Sequence, residues 1–171
     1  MRPPQRCRPR LIAILICAFS TGGPAHAATQ VAQVNANVVK PLILTWLQNL
    51  DLGTITLAPG TWSGATVAIT RSGVFSCASA SLTCTGATQV ARYNVSGTNN
   101  TNVKITAPNV TLVNASDATK TLTLVVDSPG SAVLTNSGQP GTNFSLGGSI
   151  TVDSSTAGGV YVGTFNVTVD Y

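Results

Sequence analysis

The 171-residue chain carries 9 basic and 5 acidic residues, a formal charge of +4, and only 8% of its residues are charged. Arg2, Arg6, Arg8 and Arg10 supply four of the cations, so from Ala28 onward five basic residues face five aspartates and the charge cancels. The basic balance belongs to the first 27 residues alone and gives no reason to expect nucleic acid as a partner.

Those first residues read as an address. The four arginines form a basic region, Leu11 to Phe19 an apolar core, and Ala25-His26-Ala27 a small-residue cleavage site. Cutting between Ala27 and Ala28 is expected. Export would follow the general secretory route, to the periplasm, the cell surface or beyond. The apolar run falls short of the roughly 20 residues that cross a bilayer as a helix, so no membrane span is expected. The arginines are not adjacent, which argues against a twin-arginine signal, and Ile16 before Cys17 is too bulky for lipoprotein processing.

The remainder, 28–171, reads as a single all-β domain. Thr, Val and Ile favour strands, and clusters of Gly, Asn, Ser and Pro punctuate them. In chain order, strands are expected near Val31–Val39, Leu42–Trp46, Leu50–Leu57, Ala65–Thr70, Gly73–Cys77 and Gln89–Ser96. They continue near Val103–Thr106, Val110–Asn114, Thr121–Asp127, Ala132–Thr135, Phe144–Val152 and Val160–Tyr171. No window carries a helical stripe of ten residues. Many short strands with turn signals between them predict a sandwich or barrel.

The first and last of these strands matter most. Ala32, Val34, Ala36 and Val38 alternate with Gln33, Asn35 and Asn37, which suits either a first strand of this domain or a strand donated to another. At the other end Tyr161, Phe165, Val167, Val169 and Tyr171 alternate with Val162, Thr164, Asn166, Thr168 and Asp170. That pattern predicts one buried and one wet face, and it makes the last strand a candidate assembly strand.

Cys77 and Cys84 are the two cysteines left after processing, and in an oxidising compartment they read as a disulfide across a hairpin turned at Ser79 to Ser81. A zinc site would need four ligands, and the only histidine, His26, leaves with the signal. The same loss removes any Ser-His-Asp or Cys-His arrangement. The aspartates Asp51, Asp117, Asp127, Asp153 and Asp170 are scattered, and no glutamate occurs. The expectation is a protein that is not an enzyme and needs neither metal nor cofactor. Trp46 and Trp62 are the residues able to stack on a sugar ring. Core packing, of Trp46 under Leu42-Ile43-Leu44 and of Trp62 at the Pro59-Gly60 turn, is the plainer role for both.

Several stretches carry a resemblance: Val38-Val39-Lys40-Pro41-Leu42, Leu50 to Ile55, Gly64 to Thr70, Ala91 to Gly97, and Ala157-Gly158-Gly159-Val160-Tyr161-Val162-Gly163-Thr164-Phe165. They resemble a bacterial family of exported proteins, the domain-of-unknown-function family numbered 4402. The resemblance implies a fold and a compartment but no activity. More loosely, the ending Thr164 to Tyr171 is similar to the last strand of spore-coat-U-type proteins and chaperone–usher pilins. That likeness implies an immunoglobulin-like, pilin-like sandwich with an open edge beside the C-terminal strand. A periplasmic chaperone and then a neighbouring subunit would fill the edge.

Three functions follow from these readings. The first is a structural subunit of a surface fibre or coat, joined by strand complementation to other protein subunits. The second is a self-contained sandwich that binds glycan or an envelope protein. The third, an outer-membrane barrel, suffers from the 5% aromatic content, since barrels carry aromatic girdles.

Overall fold

A computed structural model describes residues 27–171. The expected signal sequence, apart from Ala27, lies outside the described residues. The chain divides into two units, Met1–Ala36 and Asn37–Tyr171. Of the first unit, residues 27–36 are described, and they are exposed and without regular secondary structure.

The second unit is built entirely of strands. They are β1 (Ile43–Gln48), β2 (Thr54–Leu57), β3 (Ala65–Ile69), β4 (Phe75–Ser76), β5 (Leu82–Thr85), β6 (Ala91–Ser96) and β7 (Asn102–Thr106). There follow β8 (Val110–Asn114), β9 (Thr121–Asp127), β10 (Ser131–Val133), β11 (Thr142–Val152), β12 (Tyr161–Val162) and β13 (Thr168–Asp170). No helix occurs among the described residues. The expected all-β class holds, because β-branched alternation dominates every window and nothing in the chain repeats at helical spacing.

Strand β11 is the spine of the largest sheet, whose order is β1-β6-β11-β9-β8-β12, with β3 also on β11 and β4 on β3. Its first half, Thr142–Leu146, pairs with β6, and its second half, Gly148–Val152, pairs with β3. Gly147 stands at the joint. A Cβ there would lie 2.2 Å from the Ile69 carbonyl oxygen and 2.5 Å from the Arg71 nitrogen, so only glycine lets the backbones approach this closely. A three-stranded sheet, β10-β7-β13, and a two-stranded one, β2-β5, complete the unit.

The inward residues form two apolar clusters. One gathers Ala65, Val67, Leu82, Val110, Leu124, Ile150 and Val152. The other gathers Ala91, Val95, Val103, Ile105, Leu134, Phe144 and Leu146. Leu50, Val126 and Phe165 pack against both. These layers of strands over shared apolar faces agree with a β-sandwich.

Four expectations need correction. Residues 31–39 form no strand: Ala32, Val34, Ala36 and Val38 are all exposed. Alternation gives a segment two faces, but without a neighbour to bond its backbone it does not become a strand. The stretch Leu50–Leu57 is strand only from Thr54, because Gly53 turns the chain with φ of +72°. Cys77 and Cys84 do not join the arms of a hairpin: β4 pairs with β3, while β5 pairs with β2. The disulfide therefore ties the residue just after β4 to β5, in a separate sheet, although the tight turn after Ser79 does form (Leu82 N to Ser79 O, 3.1 Å). Lastly, Val160–Tyr171 is two strands rather than one. β12 pairs with β8 and β13 with β7.

Candidate functional site

The break between β12 and β13 is local chemistry. Gly163 passes so close to β8 that a Cβ would meet Leu112 Cδ2 at 2.8 Å and the Thr111 carbonyl oxygen at 3.0 Å. From there the chain leaves β8, and Phe165 drops between the two apolar clusters before β13 takes up β7. The alternation persists across the break: Tyr161, Phe165, Val167 and Val169 are half-buried, and Asn166, Thr168 and Asp170 are exposed. Gly163 to Val167 carry no strand pairing.

Opposite this segment stands β2, which pairs with β5 on one side only. Between β2 and the segment from Thr156 to Phe165 lies a groove of about 980 Å³. Leu112, Leu122 and Leu124 from β8 and β9, with Ile150 and Val152 from β11, form its floor. Leu50, Leu52, Ile55 and Leu57 line one wall, and Tyr161 and Phe165 the other.

Several of the groove's polar groups are already engaged. Asp51 Oδ1, from the one carboxylate in the lining, accepts the Gly53 N–H at 2.8 Å, and Tyr161 donates its hydroxyl to the Ala157 carbonyl at 2.8 Å. Tyr93, stacked on Phe144 with ring centroids 5.5 Å apart, has its phenol pushed to a higher pKa by burial. No set of groups in the groove converges on a reacting atom, as catalysis would require. Among the described residues no group of three or more His, Cys, Asp or Glu could hold a metal ion. No helix among them is long and apolar enough to cross a membrane.

A buried amide fixes the groove's far wall. Asn114 is 3% exposed, donates through Nδ2 to the Gly158 carbonyl at 3.0 Å, and accepts the Ser116 N–H at 2.9 Å. Asp153 closes the turn just before it, accepting from the Ser155 N–H at 2.8 Å and the Ser155 hydroxyl at 2.7 Å. These bonds, the hydroxyl's first, hold its carboxyl below the ordinary range.

The chain ends are tied together elsewhere in this unit. Tyr171 donates its hydroxyl to the Lys40 carbonyl and accepts the Thr98 N–H at 2.8 Å, while the Lys40 N–H reaches Thr98 Oγ1 at 2.7 Å. Tyr171 was expected on the buried face of the last strand. The residue is instead 45% exposed, with its hydroxyl bonded to Lys40 and Thr98.

The remaining sequence-derived residues are dispersed. Ala27 and Ala28 are exposed. Trp62 is half-buried against the first cluster, with its indole N–H on the Ala58 carbonyl at 3.0 Å. Trp46 does not pack under its strand: it is 57% exposed at the sheet edge, with its indole N–H on Asn49 Oδ1 at 3.1 Å. Nothing in the sequence flagged the groove floor. Leu112, Leu122 and Ile150 read there as ordinary strand residues.

Fold and groove together define an all-β module with sheets packed as in a sandwich and, among the described residues, an apolar groove. The chain belongs to the family described as a domain of unknown function, DUF4402, which matches residues 43–171. The match begins at the first residue of β1 and spans every strand, so the expected stretch Val38–Leu42 precedes it. No curated protein and no solved structure matches the chain.

Proposed function

We propose that this protein is an exported structural subunit of a bacterial surface fibre or coat, whose sandwich is completed by an extended strand from another molecule. The observation that carries the reading is the apolar groove bordered by two unpaired backbone edges, β2 on one side and Gly163–Phe165 on the other. An unpaired strand edge is a template for pairing, and proteins that do not use such an edge block it. An inserted strand would bond both edges with its backbone and fill the groove with every second side chain, the mode known as β-augmentation. A small polar ligand is a poorer occupant, because the floor is apolar and the Asp51 carboxylate and the Tyr161 hydroxyl already have partners within the chain. The architecture implied is an immunoglobulin-like sandwich lacking one strand, with a periplasmic chaperone or another subunit as the partner.

Amide hydrogen exchange on the mature protein tests this reading. The amides of Thr54 to Leu57 that face away from β5, and those of Gly163 to Phe165, should exchange fast in the isolated monomer. A short peptide alternating Val and Thr should protect them and raise the melting temperature, as any ligand of the folded state does. Protection already complete without peptide, or no response to it, refutes strand acceptance.

A further inference from the structure

We infer that the strand filling the groove is the segment Ala32–Val38 of a second copy of this chain. The inference rests on the strand-accepting reading above and adds the identity of the donor.

Val34 and Val38 are 91% and 85% exposed, which leaves apolar surface in water on a segment that has no packing of its own. The segment's alternation puts Ala32, Val34, Ala36 and Val38 on one face and Gln33, Asn35 and Asn37 on the other, as a strand lying over an apolar floor requires. Its seven residues would extend about 23 Å at roughly 3.3 Å each. That length spans the bordering edges, four residues in β2 and five from Tyr161 to Phe165.

Size and charge also match. The floor is made of large side chains, and the donor face offers only Ala and Val, so small groups meet large ones and can interdigitate. Residues 28–39 carry no charge, and Asp51 is the only charged group in the groove's lining. Immediately after the segment, Lys40 is held by Thr98 and Tyr171, so the donor leaves its own domain from a fixed point. Donor and acceptor are different surfaces of one molecule. The contact is therefore heterologous, and it propagates as an open chain unless a rotation closes it.

The test uses the mature chain, Ala28 to Tyr171, and two substitutions on the exposed segment. Val34→Asp places a charge on the groove-facing side, and Asn35→Asp places the same charge on the opposite side. Sedimentation of the wild type should show association that grows with concentration. Val34→Asp should weaken it by at least about 100-fold in Kd, since an apolar anchor is lost and a charge would have to be buried. Asn35→Asp should leave it within about threefold. Circular dichroism of both variants should match the wild type. A peptide of residues 28–39 should raise the melting temperature of the Val34→Asp protein, and the same peptide carrying Asp at position 34 should not.

Equal weakening by both substitutions overturns the inference, because charge alone would then explain it. A wild type that stays monomeric while Val34→Asp lowers its melting temperature also overturns it, in favour of the segment filling its own domain's groove. If the alternating Val-Thr peptide binds and the 28–39 peptide does not, the donor is another protein, and the groove's role survives. If neither binds, both readings fall.

Discussion

Gly159→Ala, compared with Gly158→Ala, isolates the device that holds the groove wall in place. Gly159 has φ of +144°, a region closed to side chains, and a Cβ there would lie 2.4 Å from Asn114 Nδ2 and 2.7 Å from its Oδ1. Gly158 has nothing within 4 Å of its notional Cβ. The first substitution should therefore cost backbone strain of about 1 to 3 kcal/mol. It also dislodges an amide that makes two hydrogen bonds, each contributing about 0.5 to 1.5 kcal/mol. A total of roughly 2 to 6 kcal/mol is expected, against about 0.5 kcal/mol for the neighbour.

Urea unfolding followed by tryptophan fluorescence measures the difference. With a slope near 1.5 kcal/mol per molar, the Gly159→Ala midpoint should fall by roughly 1.3 to 4 M, and the Gly158→Ala midpoint should barely move. The slopes must agree for the midpoints to be compared, since a changed slope signals a changed end state. Equal midpoints for the two variants would refute the reasoning. Asn114 would then tolerate a methyl group at Gly159, and the wall would be held by the β8–β12 pairing alone.

The other expectations concern the ends, the disulfide and pH. Tyr171→Phe removes the hydroxyl shared by Lys40 and Thr98, and it should lower unfolding free energy by about 1 to 2 kcal/mol and speed exchange of the Thr98 amide. Reducing Cys77–Cys84, whose residues are separated by 7 positions, should cost about 2 to 3 kcal/mol by releasing a short loop in the unfolded chain, as denaturation with and without reductant would read. Asp117 and Asp153 have pKa values held below the ordinary 3.8, first by the hydroxyls of Thr119 and Ser155 and then by the N–H groups of the same residues. Their contribution is present above the ordinary value and lost as pH falls through the folded one. Thermal melts should therefore be flat down to about pH 4 and then decline, less steeply in a double Asp→Asn variant.

What the sequence carried was periodicity, and periodicity reports faces rather than partners. Tyr161, Phe165, Val167 and Val169 fall on the inner side, where the alternation puts them, yet the chain between them changes from one sheet to another. Gly163 was the visible sign of that change, but a lone glycine in a strand equally signals a bulge. Residues 31–39 show the converse failure: a regular alternation with no strand behind it. β5 went unseen because Leu82-Thr83-Cys84-Thr85 is four residues long and its cysteine drew the reading toward a hairpin. The groove was beyond reach for another reason. It exists only where β2, β8, β9, β11 and the segment after Gly158 meet, and no local pattern announces such a meeting.

The sheet edges themselves separate the groove from the rest of the surface. β1 is a terminal strand of the large sheet, and it is preceded by Pro41 and broken by a register shift between Trp46 and Gln48. β10 follows Pro129-Gly130, and β13 carries Asp170 at its end. Proline, a bulge and a terminal charge are the usual means of keeping a free edge from pairing. The two edges along the groove have none of them. Thr54-Ile55-Thr56-Leu57 and Gly163-Thr164-Phe165 contain neither proline nor charge, and both border the apolar floor. Because these two edges flank one groove, a single extended strand laid in it would pair with both at once. The uncharged segment before Lys40 has the length and alternation to do it.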